Sequence, residues 1–161
     1  MWLPRVSSQE RDCQPIIRLS ISARTDNYHF TLLMAFLKLY LIALLAFFPL
    51  DMLWLGWLGR NFYRQQLGPL MREQTDWLAA GLFYLLFLAG IIVFVVQPSL
   101  PGSARDVLLR GAFFGLVTYA AYDLVNRAVI HNFSWTLVMV DMLWGVVLCS
   151  TVSWVAWYFG R

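Results

Sequence analysis

Three aspartates stand inside stretches apolar enough to cross a bilayer: Asp51 in FFPLDMLWLGW, Asp123 in YAAYDLVNRAV and Asp141 in VMVDMLWGVVL. A charge at the centre of a helix in hydrocarbon costs roughly +2.5 to +3.5 kcal/mol even on lenient insertion scales, so such residues turn inward, toward other helices or a watery cavity. The surrounding apolar residues fall into four blocks, about 34–58, 77–96, 108–130 and 136–159. Each is near the ~20 residues a helix needs to cross ~30 Å of hydrocarbon. Hydrophobic residues make up 60% of the chain and charged residues 13%, whereas a soluble domain is about half apolar and a quarter charged. Only helices and closed barrels satisfy their backbone groups in lipid, and these blocks lack the strict alternation of barrel strands. The expected fold is therefore all-α, an integral membrane four-helix up-down bundle.

The links support that arrangement. QPSLPGSARD reads as a turn broken by Pro98, Pro101 and Gly102, with Ser103 as a helix cap, and HNFSW is tight. Short links imply antiparallel neighbours. GRNFYRQQLGPLMREQTD is amphipathic and predicts a short interfacial helix broken near Gly68-Pro69. Residues 1–33 form a polar leader without helical periodicity or a signal-peptide core, expected to be disordered or to precede a true start at Met34. Residues 34–161 are then the transmembrane domain.

Arg5, Arg11, Arg18, Arg24, Lys38, Arg105, Arg110 and Arg161 lie on the side of the N-terminus, against Arg60, Arg64, Arg72 and Arg127 on the other. This bias predicts a multi-pass protein of the bacterial inner (plasma) membrane with both termini cytoplasmic. Trp57, Trp77 and Trp135 fall at the outer boundary, and Trp154 and Trp157 near the inner one. Basic residues scattered between spans do not form a nucleic-acid face. The two cysteines build no disulfide framework, and Cys149 reads as a small apolar packing residue.

Asp51 and Asp123 lie about six residues before the ends of spans 1 and 3, and Asp141 about six after the start of span 4. Odd spans end on the face where even spans begin. All three carboxylates therefore sit ~9–10 Å below one face at ~1.5 Å per residue. On span 3, Tyr119, Asp123, Asn126 and Arg127 share one helical stripe, and the i, i+4 spacing lets Asp123 and Arg127 neutralise each other. Pro49 frees a carbonyl beside Asp51 and permits a kink. Asp-Met-Leu-Trp occurs at 51–54 and again at 141–144. Each copy places a tryptophan one turn from its acid, which would make an acidic pocket with aromatic walls, suited to a cation. The ligand-binding candidates are Asp51, Trp54, Tyr119, Tyr122, Asp123, Asn126, Asp141 and Trp144. Gly111 and Gly115 form a GxxxG for close helix packing, His131 is expected in solvent, and span 2, with Tyr84 alone, reads as structural.

No Walker loop, dinucleotide fingerprint, HExxH, CxxC pair or nucleophile elbow is present. Two histidines cannot build the boxes of a di-iron membrane oxidase. An all-carboxylate Mg²⁺ site would lack an adjacent basic cluster for phosphate, so no metal and no cofactor are expected.

LDMLWLGWLGRNFYRQQLG, DWLAAGLFYLLFLAGIIVFVVQP, RGAFFGLVTYAAYDLVN and VDMLWG resemble a bacterial family of predicted four-span membrane proteins, domain of unknown function 2177. The resemblance covers about 35–159. It marks Asp51, Trp54, Gly56, Tyr122, Asp123, Asn126, Asp141, Trp144 and Gly145 as motif positions, with Arg127 standing where the pattern carries an apolar residue. It implies the architecture and this residue set, without a reaction. The leading expectation is binding or transport of a small cationic or amphiphilic ligand, linked to carboxylate protonation. Two alternatives stand beside it: a membrane enzyme acting on lipid or isoprenoid chains, and an assembly factor whose aspartates only pack. Expected partners are the lipid bilayer, a small-molecule or lipid ligand and a second copy of the chain, and no nucleic acid.

Overall fold

The computed structural model describes the backbone of residues 8–72 and 74–161, and side chains over 28–68, 70–72 and 74–161. The chain divides into two units, 1–37 and 38–161, and the contacts described below lie within the second. Every element among the described residues is helical. Four helices are long and apolar enough to cross a membrane: span 1 Tyr28–Leu58, span 2 Trp77–Ser99, span 3 Ala104–Val129 and span 4 Trp135–Gly160. These overlap the four expected blocks, with span 1 starting earlier, at Tyr28, and span 3 running Ala104–Val129 in place of 108–130.

The helix that opens the chain runs Ser8–Leu53, so the leader from Ser8 onward continues the winding of span 1 where the sequence gives no period. Once a span is nucleated, each further residue costs little to add. Residues 1–7 of the leader lie outside the described residues.

Local chemistry sets each boundary. Asp76 caps span 2 by accepting from the Ala79 N–H at 3.1 Å. Ser103 and Asp106 close a reciprocal capping box on span 3, and Ser134 accepts from Thr136 at the start of span 4. Between spans 1 and 2 a short helix, Arg60–Leu67, ends at Gly68, whose φ of +48° suits only glycine without strain. Phe62, Tyr63 and Leu67 on this helix pack against Phe133, Leu137 and Val138. It is therefore folded onto the bundle as a clasp.

Two spans are not wound regularly. After Asp51, span 1 loosens into a π turn over Trp54–Leu58, with the Gly59 N–H reaching back to the Trp54 carbonyl at 2.6 Å. Span 2 does the same over Ile91–Val96, ahead of Pro98. Such bulges break the regular ladder and often mark functional places.

Inward positions recur every fourth residue: Leu39, Ala43, Phe47 and Asp51 on span 1, all buried, and Val107, Gly111, Gly115, the half-buried Tyr119 and Asp123 on span 3. The two acids stand where the pattern calls for core. Spans 3 and 4 touch through backbone. A Cβ on Gly111 would meet the Cys149 carbonyl oxygen at 2.8 Å, and one on Gly115 would collide with the Gly145 backbone. The GxxxG thus does the packing expected of it, and Cys149 is free and buried beside it. Trp157, expected near the inner boundary, turns its ring toward the bundle. Its ring is buried, its indole N–H donates to the Ser99 carbonyl at 2.8 Å, and the Arg161 guanidinium lies 4.0 Å over its face. The Ser99 carbonyl, at the end of span 2, also accepts from the Gly102 N–H at 2.9 Å, so the indole is its second donor.

Candidate functional site

Asp51 and Asp141 line one cavity of about 460 Å³, at the size of small-molecule sites in general. Trp54, Tyr63, Tyr84, Tyr119, Tyr122 and Trp144 share its walls with Phe83, Phe87 and Leu55. Both acids are nearly dry, 5% and 7% exposed. Each is held by a phenol. Tyr84 Oη donates to Asp51 Oδ2 at 2.8 Å, and Tyr63 Oη donates to Asp141 Oδ1. The Trp54 indole N–H in turn donates to Tyr63 Oη at 2.9 Å, giving a chain Trp54–Tyr63–Asp141 across three elements. Burial, and after it the bond to Asp141, push the Tyr63 phenol above its ordinary range, so at neutral pH it remains a donor.

The two Asp-Met-Leu-Trp copies converge. Trp54 and Trp144 stack with centroids 4.5 Å apart and planes 8° from parallel, a geometry that favours aromatic attraction. The opposed directions of spans 1 and 4 are what let one repeat face the other. Trp144 Nε1 lies against Asp51 and has no partner in hydrogen-bonding geometry. Tyr119 owes its place to Gly145: a Cβ there would occupy the phenol ring.

Six of the eight expected residues meet at this cavity: Asp51, Trp54, Tyr119, Tyr122, Asp141 and Trp144. Asp123 and Asn126 are not in its walls. Asp123 is 0% exposed, within electrostatic reach of Asp141, and neither carboxylate oxygen has a hydrogen-bond partner among the described residues. The expected Asp123–Arg127 pair does not form. Arg127 Nη1 donates to the Phe133 carbonyl at 2.8 Å and its guanidinium sits 5.4 Å from the Trp135 ring. Among the described residues only Arg72 and Asp76 are within ion-pair distance. The loop 130–134 folds back over the helix end and claims the arginine. His131 is exposed in that loop, as expected.

Sequence reasoning missed Tyr63 and Tyr84. Tyr84 is the lone ionisable group of span 2, and that solitude is itself the signal, since a phenol deep in an apolar span needs an acceptor. Tyr63 carried a weaker sign, an aromatic pair on the one amphipathic stretch between spans.

Leu55, Phe83 and Tyr122 line the cavity and are themselves exposed, Tyr122 at 64%. The cavity therefore opens sideways, between spans 1, 2 and 3. Among the described residues no group of three or more histidine, cysteine or acidic side chains is placed to hold a metal ion.

Fold and site together define a membrane-embedded helical protein with an acidic, aromatic-walled cavity at one end of its bundle. The chain belongs to the family described as "Predicted membrane protein (DUF2177)", which matches residues 36–158. It is also 26% identical over 106 residues to a fluoride-specific ion channel, FluC, of Magnetococcus marinus, covering 66% of this chain and 78% of that protein. No solved structure matches the chain.

Proposed function

We propose that the cavity binds a small amphiphilic cation taken from the outer leaflet, as a step in moving it across the bacterial plasma membrane. The observation that carries this reading is the pair Asp51 and Asp141, two buried acids with no basic partner among the described residues, facing a stacked tryptophan pair in one cavity. A cation there meets carboxylate charge and aromatic faces in a desolvated setting, where cation–π attraction reaches ~2 kcal/mol or more. The apolar remainder of the wall and the sideways mouth suit a ligand with a hydrophobic body. The likeness to a fluoride channel supports movement of a small solute. The anion itself is disfavoured, because the acids in this cavity would repel it when ionised. With both termini cytoplasmic, as the basic residues imply, the mouth lies in the outer leaflet, and an alkaline phosphatase fused after Arg161 should remain inactive.

The test is binding of tetraphenylphosphonium to the purified full chain in lipid nanodiscs, followed by equilibrium dialysis. Saturable binding that disappears in the Asp51→Asn, Asp141→Asn double variant is the expected result. Equal binding by the double variant would overturn the proposal, as would fluoride flux through the wild-type protein in vesicles without cation binding.

A further inference from the structure

Asp123 is the group that the cavity leaves unexplained. It is 0% exposed, both of its oxygens lack a partner among the described residues, and it is absent from the cavity wall. The groups that face it can be named. From span 4 comes Asp141, an acid, and from the clasp helix comes Tyr63, already donating to Asp141. On its own helix, Arg127 is turned to the Phe133 carbonyl. The Tyr84 phenol of span 2 is already spent on Asp51 of span 1. Asp123 thus has a like charge beside it and no donor. A carboxylate left this way is among the costliest arrangements a protein can hold, because nothing replaces the lost water. Adding one proton removes the charge at its source.

Resting on the binding site argued above, we propose that Asp123 holds the exchangeable proton of this protein, and that a cation seated against Asp51 and Asp141 releases it. The charges balance. One monovalent cation enters the cavity, one proton leaves the Asp123 carboxyl for solvent, and the net charge of the buried site is unchanged. Asp123 never touches the ligand. It acts through Asp141, whose negative charge opposes ionisation of its neighbour until the cation offsets it. Cation and proton then bind in competition, the requirement for exchange of one against the other.

Two measurements test this separately from the binding site. The first needs no ligand: the infrared C=O stretch of a protonated carboxyl, recorded at neutral pH in lipid. The wild-type protein should show such a band and Asp123→Asn should lack it. Absence of the band from the wild type, or its survival in the variant, would overturn the assignment whether or not any cation binds. The second is proton release on adding tetraphenylphosphonium in weak buffer. The wild type should release about one proton per cation bound, with Kd changing up to about tenfold per pH unit. Asp123→Asn should still bind, release no proton and lose the pH dependence. Cation binding with unchanged proton release in the variant would leave the cavity standing and remove Asp123 from the exchange. No cation binding by the wild type would remove the exchange and leave the infrared band to decide where the proton sits.

Discussion

The two ends of the bundle are built from the same four helices and behave as different materials. At the end holding Trp157, spans 3 and 4 meet at Gly111 and Cys149, and Val107, Val152 and Ala156 of these spans are fully buried, as are Val95 and Val96 of span 2. At the other end, Tyr63, Tyr84, Tyr119 and the tryptophan pair stand between the helices and a cavity of about 460 Å³ remains. Small residues let backbones touch, and van der Waals packing then supplies the attraction that hydrophobicity cannot supply in lipid. Large aromatic residues prop helices apart and leave room for a guest. The difference lies in side-chain volume at a few inward positions. One end fixes the fold, and the other has given up packing to keep a chamber.

That contrast can be broken most forcefully at the acids. Removing both charges with Asp51→Asn and Asp141→Asn should weaken tetraphenylphosphonium binding by about 2–5 kcal/mol, roughly 30-fold or more in Kd, while thermal unfolding in detergent moves little. A large drop in unfolding temperature with retained binding would instead make these acids packing elements. Next comes the tight end. Gly115→Val places side-chain atoms where the Gly145 backbone lies, and overpacking of this kind costs about 1–3 kcal/mol. It should lower the unfolding temperature with cation affinity unchanged in the protein that remains folded. Unaltered stability would show that spans 3 and 4 are not in backbone contact.

The aromatic wall should matter less. Trp54→Ala removes one stacked face and one donor to Tyr63, and a loss of about 0.5–2 kcal/mol in cation affinity is expected, read by the same dialysis. Tyr84→Phe deletes a single hydrogen bond to Asp51, worth ~0.6 kcal/mol on average between membrane helices. Its unfolding temperature should fall by the smallest margin that calorimetry resolves. The subtlest effect is in pH. The Tyr63 phenol is held above its ordinary range in the fold, so its contribution is complete below the free-phenol value near ~10 and declines as pH rises past it. The wild-type protein should lose stability above pH ~10 more steeply than Tyr63→Phe, to be read as paired denaturation curves. Parallel curves would place Tyr63 outside the buried network.

Much of this was legible in the residues. An acid in an apolar block declares itself because lipid tolerates so few, and the antiparallel order of spans fixes the depth of Asp51, Asp123 and Asp141 without coordinates. The repeated Asp-Met-Leu-Trp announced a tryptophan beside each of two acids. What could not be read was which partner each polar group finds. Asp123 and Arg127 have the spacing of a pair, yet the arginine goes to the Phe133 carbonyl because loop 130–134 returns over it. That choice belongs to tertiary structure. Tyr63 reaches Asp141 across 78 positions of chain, as no local pattern foretells. The helix from Ser8 onward was illegible for the opposite reason: it extends its neighbour's winding, and its own composition gives no sign of it.

The alternation of span directions has an electrical consequence. Each helix carries about half a positive charge at its start and half a negative charge at its end. On the face nearest the cavity, spans 1 and 3 finish while spans 2 and 4 begin. Two partial charges of each sign therefore surround the chamber and largely cancel. The backbone gives that end of the molecule little preference for either polarity, and the sign of the field a visiting ion feels is written by side chains. A few substitutions at those positions could reverse it and leave the scaffold as it is.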